Sequence, residues 1–187
     1  MKRLTDWLYK VSTGWITLLA TLIFLVFTIT VLPRQSANAA MISEDVGTPD
    51  LSLFYTPEEL YQMAEAYGEK GRDAYIQARF TFDVAWPIVY TFFLVTTISW
   101  VFQKALTHQS WLWRTNLTPI LAAFFDFLEN FSTSLVMFRY PDKTPIIDFL
   151  APWFTLLKWI FVSGSFILLF IGLLLLAWNW ISNRRSK

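Results

Sequence analysis

The sequence LTPILAAFFDFLENFSTSLVMF occupies residues 117–138 and decides how the chain folds. It is long enough for a membrane-crossing helix, which needs about 20 mainly apolar residues. Asp126 and Glu129 interrupt it near its middle. Two central acids cost about 6 kcal/mol on insertion, roughly what the apolar residues of the run return. We therefore expect this helix to need polar partners on its neighbours, and its acids mark a candidate functional site.

Three further stretches are apolar enough to span a membrane, at residues 14–32, 82–102 and 152–180. With 55% hydrophobic and 19% aromatic residues among 187, the chain is too apolar for a soluble domain of this size. We predict an all-α fold, an integral membrane four-helix bundle in which residues 1–187 form a single membrane domain.

Charged residues flanking the spans predict the orientation of the bundle. Basic residues such as Lys10, Lys104 and Arg184 fall on one side, and acidic residues such as Glu58 and Glu59 on the other. The positive-inside rule then places both termini in the cytoplasm. The net charge of +1 is too small to suggest a nucleic-acid partner.

A cleaved signal peptide is the alternative interpretation of residues 1–39. Ala37-Asn38-Ala39 follows a basic start and an apolar run, as it would before a cleavage site. The apolar run is longer than the core of a usual signal peptide, and Trp7 and Trp15 anchor its start. We therefore expect the first helix to be retained.

The first outer loop, residues 33–81, is too long for a simple connection. Residues 33–50 are small and polar, and we expect irregular structure there. Thr56-Pro57-Glu58-Glu59 is typical of a helix start, with a capping hydroxyl, an initial proline and acids at the positive end of the helix dipole. It predicts a short amphipathic helix at about 57–67, on the membrane surface or on the bundle mouth, with Gly68 as its C-terminal cap.

Residues 72–102 contain no glycine and one proline, and we predict one continuous helix that enters the second span. Pro87 lacks an N–H group and should free a carbonyl near Asp83. Arg79 and Asp83 could instead form a simple interfacial pair at i, i+4 spacing. Polar side chains follow one face of this helix: Arg72, Tyr75, Arg79, Asp83 and Tyr90.

In the third span, Asp126, Glu129 and Asn130 lie at i, i+3 and i+4 and form one polar stripe. Lys158 is the intramembrane cation of the fourth span, and counting residues from the membrane midplane places it within reach of Glu129. Asp126 should lie lower, without an obvious cation, and we predict that it is protonated at neutral pH. Together with the polar face of the second span, these residues form the predicted ligand pocket: Arg72, Tyr75, Arg79, Asp83, Tyr90, Asp126, Glu129, Asn130 and Lys158.

Metal and cofactor chemistry have little support in the sequence. The chain has no cysteine, and its single histidine, His108, has no carboxylates nearby and is expected at the surface. No phosphate-binding glycine loop or nucleophile elbow is present. We therefore expect no metal and no cofactor, and the residue types favour a protein that is not an enzyme, although paired carboxylates could do acid/base work or relay protons.

The chain resembles a family of uncharacterised bacterial four-helix membrane proteins. The resemblance covers roughly residues 55–160 and rests on these motifs: Gly68-Glu69-Lys70-Gly71-Arg72-Asp73-Ala74-Tyr75, Asp83 with Pro87 and Tyr90, Pro119 with Ala122, Asp126-Phe127-Leu128-Glu129-Asn130, and Thr155-Leu156-Leu157-Lys158. It implies a retained first helix and the bacterial inner membrane, and it implies no activity. In helix count, long outer loop and buried acids, the chain is also loosely similar to EXPERA-type bundles, which bind or isomerise sterols, and this likeness is an analogy of layout.

Three functions remain open from the sequence. The first is a polytopic membrane protein whose polar pocket binds a lipid or small amphiphile, Lys158 and Arg72 taking an anionic head. The second is an accessory or assembly subunit, partnered by other membrane subunits, in which the buried charges only pair helices. The third is a proton-coupled carrier or lipid-modifying enzyme.

Overall fold

The structure, a computed structural model, describes residues 2–43, 46–107 and 110–185, and His108 lies outside them. All regular secondary structure in these ranges is helical, as predicted. The described ranges contain seven α-helices: α1 Lys2–Val11, α2 Gly14–Thr30, α3 Leu32–Ser43, α4 Pro57–Arg79, α5 Phe82–Ala105, α6 Thr118–Arg139 and α7 Ile147–Arg185. Short 3₁₀ turns occupy Pro49–Leu51 and Trp111–Leu117.

Four helical stretches in the described residues are long and apolar enough to cross a membrane: 14–41, 57–105, 111–139 and 147–184. Each of the four predicted spans falls within one of them. The helix α1 lies ahead of these stretches and packs on the turn before α6, where the rings of Tyr9 and Trp113 stack 3.8 Å apart.

The expectation of irregular structure throughout residues 33–50 is wrong, because α3 continues the path of α2 after Val31. Val31 keeps helical angles, and its carbonyl accepts the N–H of Gln35 at 3.1 Å. Pro33 stands in the first turn of α3, where a missing N–H breaks no helical bond. The following residues are rich in alanine, the strongest helix former, so polarity did not prevent a helix.

The prediction of one continuous helix over residues 72–102 is also wrong. The chain turns at Phe80 and Thr81, which separates α4 from α5. Thr81 adopts φ −120 and ψ −79, and its hydroxyl donates to the Gln77 carbonyl at 2.7 Å. Thr96 and Thr133 form the same bond within unbroken helices, so this bond alone does not end α4. The break lies between buried Arg79 and Asp83, which contact Asp50 and Asn130, so tertiary contacts override local helix propensity here.

The helix α4 lies at the end of the bundle formed by the C-terminus of α6 and the N-terminus of α7, which we call the outer end. It begins at Pro57 with a reciprocal capping box. The Thr56 hydroxyl accepts the N–H of Glu59, and the Glu59 carboxylate accepts the N–H of Thr56. Gly68 has φ 62 and ψ −179, a conformation that favours glycine, and it divides α4 into segments 57–67 and 69–79. The first segment packs its apolar stripe on the outer ends of α6 and α7 in a cluster that includes Leu60, Met63, Ala64, Val136, Met137 and Ala151.

A second apolar cluster fills the opposite half of the bundle around α5. Leu94, Ile98, Val101 and Phe102 are fully buried there and pack with residues of α6 and α7. Between this cluster and the outer one lie the buried polar side chains of α4 to α7. The fold therefore places a polar layer between two apolar ones.

Candidate functional site

The site is built where α4 ends, α5 begins, and the middle of α6 faces α7. The polar stripe of α6 points inward, because Asp126, Glu129 and Asn130 are all buried. Lys158 on α7 is buried as well, with 6% of its surface exposed. Charged side chains are seldom buried without partners, so the contacts among these groups define the site.

Glu129 and Lys158 form a buried ion pair between α6 and α7, the pair that the depth count predicted. Glu129 is completely enclosed. Its second carboxylate oxygen accepts a hydrogen bond from the Thr155 hydroxyl at 2.8 Å. The carboxylate therefore has both a cation and a hydroxyl, which offsets much of the cost of its burial.

Asp126 lies on the other side of the same lysine. Its Oδ1 atom is 4.0 Å from Lys158 Nζ, so the expectation that Asp126 lacks a cation is wrong. Lys158 lies between Asp126 and Glu129, two acids one helical turn apart, and the depth of each residue in the membrane does not show this. The Tyr90 hydroxyl donates to Asp126 Oδ2 at 3.0 Å, and the Asn130 amide lies 3.3 Å from Oδ1.

Arg79 forms the outer end of the network. Its guanidinium pairs with Asp83 at 3.0 Å and with Asp50 of the first loop, and it lies 4.4 Å from the centre of the Tyr75 ring. Only 6% of Arg79 is exposed, so this is more than a solvated interfacial pair with Asp83.

Asn130 joins the outer and inner halves of the network. Its amide nitrogen donates to the Asp83 backbone carbonyl at 3.2 Å, and its amide oxygen accepts from Arg79 at 3.4 Å. The Asp83 carbonyl is the one that Pro87 leaves without a helical donor, so the predicted free carbonyl is confirmed. The network thus runs without interruption from the first loop to α7.

Asp50 and Tyr55, both contributed by the first loop, are site residues that were not predicted from the sequence. The Asp50 carbonyl accepts the indole N–H of Trp159 at 3.1 Å. The Tyr55 hydroxyl lies 3.2 Å from the Thr155 hydroxyl, and burial raises the pKa of this phenol well above its ordinary value. Asp50 is one of many acidic residues in this loop, and it does not belong to a helical spacing pattern that would single it out. Only Pro49, which fixes the backbone beside Asp50, distinguishes it in the sequence.

Arg72 does not join the network, although the sequence groups it with the pocket. Its guanidinium donates to the Ala64 carbonyl at 2.9 Å and lies 4.8 Å from the centre of the Tyr140 ring. It therefore connects the two segments of α4 across Gly68. Of the nine predicted pocket residues, seven make ionic or hydrogen-bond contacts in one network: Arg79, Asp83, Tyr90, Asp126, Glu129, Asn130 and Lys158. Tyr75 lies against it.

A cavity of about 370 Å³ lies between α3, α4 and the first loop. Arg79 and Tyr75 form the part of its wall that belongs to the predicted pocket, and polar side chains of three segments complete it: Gln35, Asn38, Thr48 and Gln77. The Nε atom of Arg79 is buried without a hydrogen-bond partner among the described residues. The cavity therefore meets the network at Arg79, the cation that pairs with Asp50 and Asp83.

The network contains four carboxylates, from Asp50, Asp83, Asp126 and Glu129, and two cations, from Arg79 and Lys158. Fully ionised, it would carry an excess of two negative charges. Among the described residues, no three His, Cys, Asp or Glu side chains are placed so that they could hold a metal ion together. The arrangement can hold protons and orient a polar ligand at its outer end.

Comparison of the chain with protein-family models, with curated proteins and with solved structures gave no match in any of the three.

Proposed function

We propose that the chain is a multi-pass protein of the bacterial inner membrane that binds the polar head of a lipid or small amphiphile in its outer cavity. The four helical stretches and the basic residues at their inner ends support four spans with both termini in the cytoplasm. The resemblance to bacterial four-helix membrane proteins supports the same placement.

The contact between the outer cavity and buried Arg79 carries this proposal. Binding sites are concave and fix their ligands through a few placed polar groups. Arg79 pairs with Asp50 and Asp83 and also lines the cavity. It takes the ligand-binding role that the sequence gives to Lys158 and Arg72, because Lys158 is enclosed by Glu129 and Asp126 and Arg72 lies elsewhere.

A cavity-filling variant tests this function without disturbing the network. Ala74 lines the cavity, and Ala74→Phe would occupy its volume. Mass spectrometry of the purified protein should detect a copurified lipid or amphiphile in the wild type, and this molecule should be lost from Ala74→Phe. Ala66→Phe, on the exposed face of the same helix, is the matched control and should keep it. Equal ligand content in all three proteins would remove the basis of the proposal.

Helix pairing within a larger complex is the second candidate function, because every charged side chain of the network has an ionic partner inside it. Polar groups can join helices in a membrane without any ligand. The double variant Glu129→Gln, Lys158→Met separates the two functions. The variant leaves Arg79 and the outer cavity in place, so if it folds and keeps its bound molecule but no longer assembles with partner subunits, the charges serve pairing. Unchanged assembly would count against pairing.

Proton handling is favoured by the excess of two carboxylates over cations. We predict that Asp126 is protonated at neutral pH, because it shares its lysine with Glu129. Infrared spectroscopy should show a protonated carboxyl band at neutral pH that disappears in Asp126→Asn. A band that survives in this variant would assign the proton to another acid.

A further inference from the structure

The cytoplasmic ends of α5 and α7 enclose a second concave surface, far from the ionic network. Its wall combines apolar side chains with one cation: Trp100, Lys104, Leu173, Leu176, Ala177 and Trp180. This surface is open on one side, with a volume of about 410 Å³, and we call it the cytoplasmic groove.

Two contacts fix the width of this groove. At one end α5 and α7 touch at Gly172, where an added Cβ would lie 2.7 Å from the Phe102 ring. At the other end the Asn179 side chain donates to the Ala105 carbonyl at 3.0 Å. Both contacts join α5 to α7, so they set the spacing of the two helices that form the groove.

Two cationic side chains lie over tryptophan rings along the rim of the groove. Lys104 Nζ lies 4.3 Å from the Trp100 ring centre, and the Arg184 guanidinium lies 3.8 Å from that of Trp180. Both side chains are exposed, and neither forms an ion pair with a carboxylate among the described residues. The rim thus carries two positive charges beside an apolar floor.

We propose that the cytoplasmic groove binds an anionic phospholipid of the inner leaflet, the acyl chain on the apolar floor and the phosphate between Lys104 and Arg184. The charge complementarity and the tryptophan rings at the helix ends favour this occupant, because tryptophan prefers the headgroup level of a membrane. This inference rests on the proposed membrane insertion and is independent of the outer cavity.

The test compares lipid binding to the full-length purified protein by native mass spectrometry, with phosphatidylglycerol and phosphatidylcholine as probes. The wild type should prefer phosphatidylglycerol. Lys104→Gln and Arg184→Gln should each lower that preference about fivefold, the effect expected for one cation at a membrane surface. The matched control is Arg139→Gln with Lys143→Gln, two exposed cations at the outer end, and it should leave the preference unchanged.

Ala177→Phe separates a lipid in the groove from a diffuse attraction to surface charge. It fills the groove and leaves both cations in place, so it should lower the retention of phosphatidylglycerol as the charge variants do. An unchanged preference in Lys104→Gln with Arg184→Gln, or full retention in Ala177→Phe, would overturn the inference. So would a second copy of the chain occupying the groove, seen as a dimer that Ala177→Phe dissolves. Ala74→Phe should not alter phosphatidylglycerol binding, so failure of the outer-cavity function remains a separate result.

Discussion

In the proposed orientation the bundle has an outer half and a cytoplasmic half, and different chemistry holds each together. In the outer half, ion pairs and hydrogen bonds join α4 to α7 through Arg79, Asn130 and Lys158. In the cytoplasmic half, apolar side chains such as Ile98 and Phe102 pack closely around α5. Lipid chains are as apolar as these side chains, so in a membrane the cytoplasmic half depends on close fit and the outer half on specific pairing.

The largest expected effect breaks the pairing of the outer half. Lys158→Met leaves Glu129 buried without its cation, and losing one partner of a buried pair costs about 3–5 kcal/mol. Thermal unfolding in detergent should show this loss. Adding Glu129→Gln should restore much of the stability, and Lys143→Met, which removes an exposed lysine, should have little effect. If Lys158→Met alone were as stable as the wild type, the outer half would not depend on the ion pair.

A smaller effect is expected from the close fit of the cytoplasmic half. Gly172→Ala places a methyl group 2.8 Å from Val101 and closer still to the Phe102 ring, and overpacking of this kind costs about 1–3 kcal/mol. Gly164→Ala in the same helix is the control, because its methyl group would meet only the Thr118 methyl at 4.0 Å. The difference between their thermal unfolding temperatures isolates the clash, since both substitutions change helix propensity equally. Equal stabilities would mean that the two helices can separate slightly without loss.

The smallest effect concerns the cap of the outer helix. Thr56→Ala removes the hydroxyl that accepts the Glu59 N–H at 3.2 Å and should cost about 1 kcal/mol. Thr30→Ala, which removes a hydroxyl bonded to its own helix at Val26, should be nearly neutral. Protease cleavage near residue 56, compared between the two variants, would show whether the cap holds α4 on the bundle. Identical cleavage would mean that apolar packing alone, and not the cap, holds α4 on the bundle.

Length and apolarity were enough to predict the four helical stretches, because a membrane-crossing helix leaves a long signal in one segment. Helical spacing and depth were also enough to predict that Glu129 meets Lys158. Asp50 could not be predicted, since its position depends on how a loop folds back on Arg79. The break at Thr81 was missed because it depends on tertiary contacts of Arg79 and Asp83. The helix α3 was missed because average polarity does not reveal its content of alanine, a strong helix former.

Pro87 has a consequence for how α5 and α6 recognise each other. A proline in a helix is usually counted as a lost bond, but here the acceptor that it releases on Asp83 is used by Asn130. An alanine at position 87 would supply an amide hydrogen to that acceptor. This N–H group and the Asn130 amide would then compete for the Asp83 carbonyl. The helix defect therefore acts as a docking point, and a substitution that makes α5 more regular would weaken its junction with α6.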